Sequence, residues 1–289
     1  MLTNIGVVTG GPMGVGIAET LARAGYRTLV HAGAGPAPDQ VIGEIERSLA
    51  RAVKRGKLES EAAGRICASL IATTGVEELA GCDLVIDALA ERLDEKRALL
   101  AALDRVCSSA TIFGCNNSVY PVGKIASATQ RPDRVVGIHF FLPVPQSRLV
   151  EIIRPAGCSD ATLQVASDLV ARLGKRAVHA ADTPGFIFVR LNEPNLMRAI
   201  RLVEEGVATP DDVDATITLA TAAPIGPLHL ADLVGLDNLV AIAEALHDEL
   251  GDPSCAPPRL LREMVAAGTL GKKTGRGFFE YPPDPSPTA

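Results

Sequence analysis

A buried strand that turns into a helix through a glycine-rich loop opens the chain and limits its fold more than any other feature. The residues are Ile5-Gly6-Val7-Val8-Thr9-Gly10-Gly11-Pro12-Met13-Gly14. In the pattern G-x-G-x-x-G the first glycine allows the tight turn, the second lets backbone approach a pyrophosphate, and the third lets the helix pack on the strand. Gly11 and Gly14 hold the second and third positions, but Thr9 stands at the first. The pattern predicts a phosphate site at the start of the helix, made by Gly10, Gly11, Pro12, Met13 and Gly14.

The second strand, Arg27 to Ala32, ends without the acidic residue that usually accompanies such a loop. An Asp or Glu about 20 residues after the loop binds a ribose 2′-hydroxyl, and Ala32 stands in its place. An arginine at that point would accommodate a 2′-phosphate instead, and none follows Ala32 closely. The loop therefore predicts a dinucleotide-binding fold, and NADP is not predicted as its cofactor. Because the usual acidic residue is missing, the sequence leaves open whether the cofactor site has been lost.

Strands alternate with helices over the first part of the 289-residue chain, a pattern typical of a parallel sheet with helical crossovers. The apolar spacing predicts helices over 13–25, 39–57, 59–69, 92–107 and 160–173. Strands are predicted from residue 5 and over 27–32, 83–88, 111–115, 134–141, 149–154 and 177–180. After Pro184-Gly185 only helices are predicted, near 185–206, 210–221, 236–250 and 258–267. We expect an α/β fold with a Rossmann-type, doubly wound N-terminal domain over 1–182 and an all-helical C-terminal domain over 183–289.

Charge, hydropathy and cysteine spacing exclude several classes of protein. The formal net charge of −6 argues against nucleic acid as the main partner, and no apolar run approaches the ~18 residues of a membrane-spanning helix. The six cysteines show no C-x-x-C spacing, which argues against a metal site and a disulfide framework. The first strand begins too close to Met1 for a signal peptide, so we expect a cytoplasmic protein. The excess of 21 arginines over 7 lysines indicates a GC-rich bacterial gene.

The ends of three strands carry side chains suited to proton transfer. His139 closes one apolar strand and Glu151 lies early in the next, so the two can meet across a hairpin-like return. A carboxylate that holds an imidazole makes it a competent general base, although the same spacing suits a histidine with a structural role. Ser118 follows another strand, where open α/β sheets bind ligands, but a serine there also serves as a turn or cap residue.

Five segments occur in an order that is typical of one family. They are Gly137–Pro145 (GIHFFLPVP), Leu149–Glu151 (LVE), Asp182–Phe186 (DTPGF), Glu204–Ala208 (EEGVA) and Gly271–Phe278 (GKKTGRGF). With them the chain resembles the short-chain 3-hydroxyacyl-CoA dehydrogenases, in particular the 3-hydroxybutyryl-CoA dehydrogenase branch, as a divergent member. The resemblance covers essentially the whole chain. It implies an NAD-dependent oxidoreductase that acts on 3-hydroxyacyl or 3-oxoacyl thioesters.

The resemblance also implies roles for the residues at the strand ends. His139 would take the proton from the 3-hydroxyl group, and Glu151 would orient the imidazole. Ser118 would hydrogen-bond the reacting oxygen, and Asn116 belongs to the same family turn. These four residues are the predicted catalytic set.

Four further residues match family positions near the cofactor or the substrate. Glu91 and Lys96 match a family pair, E-x4-K, beside the cofactor and the acyl chain; without the resemblance they would be an exposed pair on a helix. Ser48 and Arg55 lie where the family's helical segment meets coenzyme A, and the alternative is a solvated, basic helix end. Either CoA or an acyl-carrier-protein arm would serve as the handle of the thioester.

Two positions near the expected substrate depart from the family pattern. Leu142 and Val189 replace asparagines, so the site loses hydrogen bonds worth ~0.5–1.5 kcal/mol each and becomes more apolar. Together with Thr9 and Ala32, these changes keep a second hypothesis open: a non-redox enzyme that uses His139 as a base for dehydration, isomerisation or cyclisation of a thioester-bound substrate. A catalytically silent scaffold is a third hypothesis, which the retained base disfavours.

The expected partners follow from the same resemblance. The helical C-terminal domain is similar to the family's dimerisation domain, which predicts a homodimer. An acyl thioester is expected as substrate, in the cleft between the domains. Neither nucleic acid nor a membrane is expected as a partner.

Overall fold

The computed structural model describes residues 2–33 and 37–282, and the chain divides into two units, Met1–Phe186 and Ile187–Ala289. The first unit is a sheet with helices on both faces, and the second is helical. The hydrophobic clusters of buried residues respect this division. The predicted fold class, a Rossmann-type N-terminal domain with a helical C-terminal domain, is confirmed.

An eight-stranded sheet organises the first unit. Its strands are β1 Asn4–Thr9, β2 Arg27–Ala32, β3 Leu70–Thr73, β4 Leu84–Ala88, β5 Ile112–Cys115, β6 Val135–Phe140, β7 Leu149–Arg154 and β8 Arg176–Ala181. The order across the sheet is β3-β2-β1-β4-β5-β6-β7-β8, and β6 and β7 are antiparallel while the other described pairs are parallel. The strand order reverses between β1 and β4, which creates a crevice at their carboxyl ends, where open α/β sheets bind ligands.

Helices cover both faces of this sheet. They are α1 Pro12–Arg23, α2 Pro38–Lys54, α3 Ser60–Ala68, α4 Leu93–Val106, α5 Val122–Ala126 and α6 Asp160–Arg172. Side chains alternate along a strand, so Val7 of β1 belongs to the buried cluster that includes α1, α2 and α6, whereas Val8 belongs to the cluster that includes α4 and α5. Burial on both faces explains the continuous apolar runs of these strands.

Strand β3 and helix α5 are absent from the sequence-based prediction. β3 pairs in parallel with β2, from Thr28↔Leu70 to His31↔Thr73, directly after α3. A four-residue strand gives few positions from which to recognise a period, so residues 70–73 were left unassigned after the predicted helix 59–69. The same limit applies to the five residues of α5.

The second unit, as far as residue 282, contains five α-helices. They are α7 Phe188–Glu204, α8 Pro210–Thr221, α9 Pro227–Val234, α10 Leu236–Leu250 and α11 Arg259–Ala266. Their shared core includes Ile200, Leu228, Leu239 and Leu261, each at most 1% exposed. The prediction lacks α9, because its eight residues are bounded closely by Gly226 and Gly235. Within the described residues of both units, no helix is long and apolar enough to cross a membrane.

A buried aspartate explains the glycine-rich segment near the end of the chain. Asp232 of α9 is 1% exposed, and its carboxylate accepts the N–H groups of Phe278 and Phe279 and the hydroxyl of Tyr281, each at 3.0 Å. A Cβ added to Gly277 would lie 1.9 Å from Asp232 Oδ1. Only glycine therefore fits at this position of the segment.

Candidate active site

The β6–β7 hairpin brings His139 and Glu151 together. The two residues are opposite each other in the antiparallel register, and His139 Nδ1 lies 2.8 Å from Glu151 Oε2. Both are buried, with 4% and 1% of their surface exposed. Because an ionised carboxylate only accepts hydrogen bonds, Nδ1 carries the proton and Nε2 keeps a lone pair. The hairpin thus holds an imidazole in the tautomer that a general base needs.

Ser118 lies beside the same imidazole. It belongs to the loop after β5, and its Oγ is 3.3 Å from His139 Nε2. A serine hydroxyl has one donor and two acceptor lone pairs, so Ser118 can contact both the imidazole and a substrate oxygen. Ser118, His139 and Glu151 therefore form a continuous hydrogen-bonded line at neighbouring strand ends.

Glu91 and Asn116 fix the loop that carries Ser118. The two carboxylate oxygens of Glu91 accept the N–H of Ser118 at 3.0 and 3.1 Å, and Oε1 also accepts the N–H of Val119 at 3.0 Å. The amide oxygen of Asn116 accepts the N–H of Phe140 at 2.9 Å, which ties the end of β5 to the end of β6. In the structure both side chains position the loop; direct contacts with cofactor or substrate stay predictions.

Lys96 is enclosed by protein and joins two strand ends. It is 1% exposed, and its ammonium donates to Asp87 Oδ2 at 3.0 Å and to the carbonyls of Leu89 and Asn116 at 3.2 and 3.0 Å. Burial lowers the pKa of Lys96, but the carboxylates of Asp87 and Glu91 outweigh that effect and raise it above its usual value. The alternative of an exposed pair on a helix is wrong for Lys96. The feature of the sequence that could have indicated a buried partner for Lys96 is Asp87, an acidic residue near the end of the buried strand β4.

Two phenylalanines flank the imidazole of His139. The ring centroids of Phe141 and Phe186 lie 4.4 and 5.8 Å from it. Phe186 has φ of 47° and follows Gly185 with φ of 73°, a left-handed turn that costs a non-glycine residue about 1 kcal/mol or more. The Gly185 N–H donates to the carbonyl of Val119 at 2.9 Å. This strained turn is therefore bonded to the Ser118 loop and places an aromatic ring at the imidazole.

The N-terminus of α1 offers backbone amides to an anion. Gly11 is the N-cap, no side chain caps the first turn, and no acidic residue lies in that turn. The first N–H groups of a helix lack partners within it, so those of Met13 and Gly14 are open to a ligand. A Cβ added to Gly11 would meet no described atom within 4 Å, which marks the open side of the loop. These features fit the pyrophosphate of a dinucleotide.

Thr9 stabilises this loop through hydrogen bonds to Gly11 and does not obstruct its open side. Thr9 is fully buried, and its hydroxyl accepts the N–H of Gly11 at 3.2 Å and donates to the Gly11 carbonyl at 3.0 Å. A Cβ added to Gly14 would lie 2.1 Å from Thr9 Oγ1, so the third glycine makes room for this threonine. Ala32, paired with Thr9 across β1 and β2, offers a ribose no side-chain acceptor. The dinucleotide therefore has its phosphate cradle but lacks the usual ribose anchor.

A cavity of about 370 Å³ adjoins the start of α1 and brings two predicted substrate residues together. Ser48 of α2 and Leu142, which is 54% exposed, both line it. Other lining residues are Pro12, Val15, Gly16, Glu19, Glu44, Arg47, Arg51 and 143–146. Arg55 follows the end of α2, is exposed and is not part of this lining, so its predicted contact with coenzyme A stays a prediction.

Arg47 and Arg51 are cavity residues that the sequence-based prediction missed. They lie four residues apart on α2, one turn of helix, so both face the cavity on either side of Ser48. A guanidinium binds phosphate through two parallel N–H donors, which makes this pair suited to a phosphorylated ligand. Their i, i+4 spacing around Ser48 was the signal in the sequence.

Val189 is the last of the predicted site residues, and Cys115 is a cysteine close to the site. Val189 lies on α7 of the second unit and is 7% exposed. Cys115, at the end of β5, is 2% exposed, and burial together with the Asp87 carboxylate raises the pKa of its thiol. A buried thiol with a raised pKa is a poor nucleophile, so Cys115 contributes to packing. Among the described residues, no group of three or more metal-ligating side chains occurs.

Comparisons with known proteins identify the family. The model for the 3-hydroxyacyl-CoA dehydrogenase NAD binding domain matches residues 4–183, and the model for the C-terminal domain of the same family matches residues 185–281. The chain belongs to the 3-hydroxyacyl-CoA dehydrogenase family. Membership confirms the resemblance seen in the sequence.

Similar proteins cover this 3-hydroxyacyl-CoA dehydrogenase almost end to end. The 3-hydroxybutyryl-CoA dehydrogenase of Mycobacterium tuberculosis is 41% identical over 97% of this chain and 99% of its own length. The crystal structure of FadB2 from M. tuberculosis matches with a TM-score of 0.93 and 41% identity, over 97% of this chain and 99% of that one. The (S)-3-hydroxybutyryl-CoA dehydrogenase of Ralstonia eutropha matches with a TM-score of 0.90 and 36% identity, over 98% and 100%.

The family assignment decides between the hypotheses about activity. The chain is an NAD-dependent oxidoreductase of 3-hydroxyacyl-CoA thioesters, as predicted, because its sheet unit is the family's NAD binding domain. No observation favours the non-redox alternative. In this 3-hydroxyacyl-CoA dehydrogenase the missing ribose carboxylate at Ala32 is thus a variation within an NAD site.

Proposed function

We propose that this enzyme interconverts 3-hydroxybutyryl-CoA and acetoacetyl-CoA, with NAD as the hydride carrier. The substrate follows from the relatives of 41% and 36% identity, whose names specify 3-hydroxybutyryl-CoA. The observation that carries the proposal is the line of Ser118, His139 and Glu151, at the carboxyl ends of β5 and β6 and in the amino-terminal half of the antiparallel strand β7. It presents a base of defined tautomer next to the strand ends where the cofactor domain binds its ligands.

His139 and its neighbours supply the proton transfer of this reaction. In the oxidative direction, Nε2 of His139 takes the proton of the 3-hydroxyl group as the C3–O double bond forms. Glu151 accepts the hydrogen bond from Nδ1–H throughout and stabilises the imidazolium. The Ser118 hydroxyl, once it turns from Nε2, donates to the reacting oxygen. NAD, when bound, accepts the hydride that leaves C3.

The glycine-rich loop and the start of α1 would hold the dinucleotide. The open amides of Met13 and Gly14 suit its pyrophosphate, and the uncovered face of Gly11 allows close approach. A carboxylate at the end of β2 is missing, so affinity rests on the phosphate contacts. We expect NADH to bind with a Kd in the micromolar range, and NADPH to bind more weakly because no arginine follows Ala32 closely.

The cavity beside α2 supports coenzyme A as the handle of the thioester. Arg47, Ser48 and Arg51 offer two guanidinium groups and a hydroxyl on one helix face. These donors match the phosphates of a nucleotide handle. A carrier-protein arm has a single phosphodiester and needs fewer cations, so comparison of the CoA thioester with the same acyl group on a carrier protein tests this step.

A homodimer is supported by the exposed apolar residues of the second unit. Leu191, Val207, Leu219 and Leu233 are 67%, 65%, 85% and 50% exposed. Such a concentration of exposed large apolar side chains is typical of an interface between subunits. Light scattering after size exclusion should give twice the 30.1 kDa of the chain, and a monomeric mass at micromolar concentration would contradict the homodimer.

The cytoplasm is the compartment that the cysteines favour. All six are unpaired, and five of them are buried. Free thiols persist in a reducing compartment, whereas oxidising compartments convert close pairs into disulfides. Cell fractionation of the source organism, with a periplasmic marker as control, tests this location.

Calorimetric titration with NADH, followed by an assay with acetoacetyl-CoA, tests the proposed function. Saturable NADH binding and consumption of NADH absorbance on addition of acetoacetyl-CoA are expected. His139→Gln should reduce kcat by at least about a hundredfold and leave the NADH Kd within about twofold. Folded protein that binds NADH but does not reduce acetoacetyl-CoA would overturn the substrate, and equal activity of His139→Gln would overturn the role of the base.

A further inference from the structure

Lys175 lies at a junction of three elements in the first unit. It follows α6 and immediately precedes β8, and its ammonium is close to the turn between β6 and β7. The Nζ atom donates to the carbonyl of Val144 at 2.6 Å and to the carbonyl of Ser147 at 2.5 Å. One side chain therefore holds the two ends of the turn 144–147 together.

The turn 144–147 is important for the enzyme for two reasons. It connects β6, which carries His139, to β7, which carries Glu151, so it closes the hairpin that aligns them. Residues 142–146 also form one wall of the cavity beside α2. A displacement of the turn would alter that wall first and the hairpin second.

The opposite side of the turn is packed against α1. Val144 is 1% exposed, and a Cβ added to Gly16 of α1 would lie 2.9 Å from Val144 Cβ. Within the turn, the Pro143 carbonyl accepts the N–H groups of Gln146 and Ser147 at 3.0 and 2.9 Å. Apolar packing thus fixes Val144, while Lys175 fixes the carbonyls.

The position of the Lys175 ammonium is unfavourable for a charged group, because it is partly removed from water. Lys175 is only partly exposed, burial lowers the pKa of its ammonium, and its hydrogen bonds go to main-chain carbonyls instead of a carboxylate. An apolar side chain would avoid the cost of removing a charge from water. A charged donor at this site therefore contributes more to fixing the position of the turn than to the stability of the fold.

We propose that Lys175 is a positioning residue that sets the cavity wall 142–146, and through it the affinity for the handle of the thioester. This inference rests on the proposed function, in which that cavity takes the coenzyme A part of the substrate. Lys175 acts through the turn and does not itself contact the reacting atoms.

The test compares Lys175→Met with Lys175→Arg and with Arg105→Met. Lys175→Met removes the charge and both hydrogen bonds, Lys175→Arg keeps a donor, and Arg105 is an exposed cation of α4 in the same unit. We expect Lys175→Met to raise the KM for acetoacetyl-CoA by about tenfold while kcat changes by less than about twofold. The NADH Kd should not change, Lys175→Arg should recover most of the KM, and Arg105→Met should behave as wild type.

Hydrogen exchange gives a readout that does not depend on turnover. In Lys175→Met the amides of Gln146 and Ser147 should exchange faster than in wild type, with the thermal midpoint recorded as a check of folding. Unchanged exchange at these amides, or a loss of kcat without a rise in KM, would overturn the role of Lys175. A wild-type enzyme that fails to reduce acetoacetyl-CoA overturns the proposed function instead, and the exchange rates still decide whether Lys175 holds the turn.

Discussion

Glu151 and Ser118 contribute differently to the hydrogen-bonded line through His139. Glu151 contributes a negative charge, which holds the Nδ1 proton and stabilises the imidazolium, whereas Ser118 contributes only a hydroxyl at 3.3 Å. Charged hydrogen bonds in a buried site are stronger than neutral ones. Glu151 is therefore the partner whose replacement should affect the reaction most.

Glu151→Gln keeps the shape of the side chain and removes its charge. We expect kcat to fall by at least about a hundredfold, because the imidazolium formed in the reaction is no longer stabilised. Ser118→Ala should lower kcat by roughly tenfold, since one neutral hydrogen bond is lost. Steady-state assays with acetoacetyl-CoA measure both effects. Glu61→Gln, an exposed carboxylate on α3, is the matched control and should equal wild type; a smaller loss in Glu151→Gln than in Ser118→Ala would contradict the assignment.

At the scale of single residues, the sequence predicted the reacting groups better than the residues that hold them. His139 and Glu151 were paired by strand ends and a short return, which are local features. The carbonyl partners of Lys96 and Lys175 were not predicted, because most of them lie 20 or more residues away and come close only when the sheet has formed. Carbonyl acceptors are present at every residue, so the sequence carries no signal for which ones a lysine will reach.

The loop between β1 and α1 shows how one element tolerates a changed fingerprint. Thr9 has no left-handed backbone conformation, so the first position of this loop does not require glycine here. The requirement falls on Gly14, where an added Cβ would lie 2.1 Å from Thr9 Oγ1 and 2.3 Å from Thr9 Cβ. The two positions are therefore coupled.

Gly14→Ala should lower the free energy of unfolding by about 1–3 kcal/mol, because the new methyl group overlaps Thr9. Replacing Thr9 by glycine in the same chain should recover part of this loss, since the overlapping Oγ1 and Cβ atoms are gone. Urea unfolding measures both variants. The control is Gly64→Ala on α3, where a Cβ meets no described atom within 4 Å, so that this change should be neutral or stabilising. Additive effects of the two substitutions would contradict the coupling.

Short elements set the limit of sequence-based prediction at this scale. The amphipathic helices and the buried strands were found from their periods, whereas β3 and α5, with four and five residues, were not. Helix α9 has eight residues, as does the predicted α11, and was missed because Gly226 and Gly235 bound it closely. Fewer than about two turns of helix give too few apolar positions to define a period. Their position is decided by packing against neighbours that are distant in the chain.

The whole chain was predicted as a sheet unit followed by a helical unit, and the structure has these two units in that order. That organisation could be predicted because alternation of strands and helices ends abruptly near Pro184. The burial of a carboxyl group in the helical unit could not be predicted. Glu193 follows the helical apolar pattern poorly, yet α7 buries it to 4% exposure, with Oε1 lacking a partner among the described residues.

Glu193 should make the stability of the enzyme fall with rising pH. Burial raises the pKa of this carboxyl from 4.5 to about 8. Below pH 4.5 both folded and unfolded chains hold the proton. Between pH 4.5 and 8 only the folded chain does, so the free energy of unfolding declines through that window by up to roughly 5 kcal/mol and levels off above it. In Glu193→Gln this decline should be absent, while Glu263→Gln, an exposed carboxylate of α11, should keep it. Urea unfolding from pH 5 to 9 compares the three proteins, and parallel curves for wild type and Glu193→Gln would show that Glu193 is ionised in the folded chain.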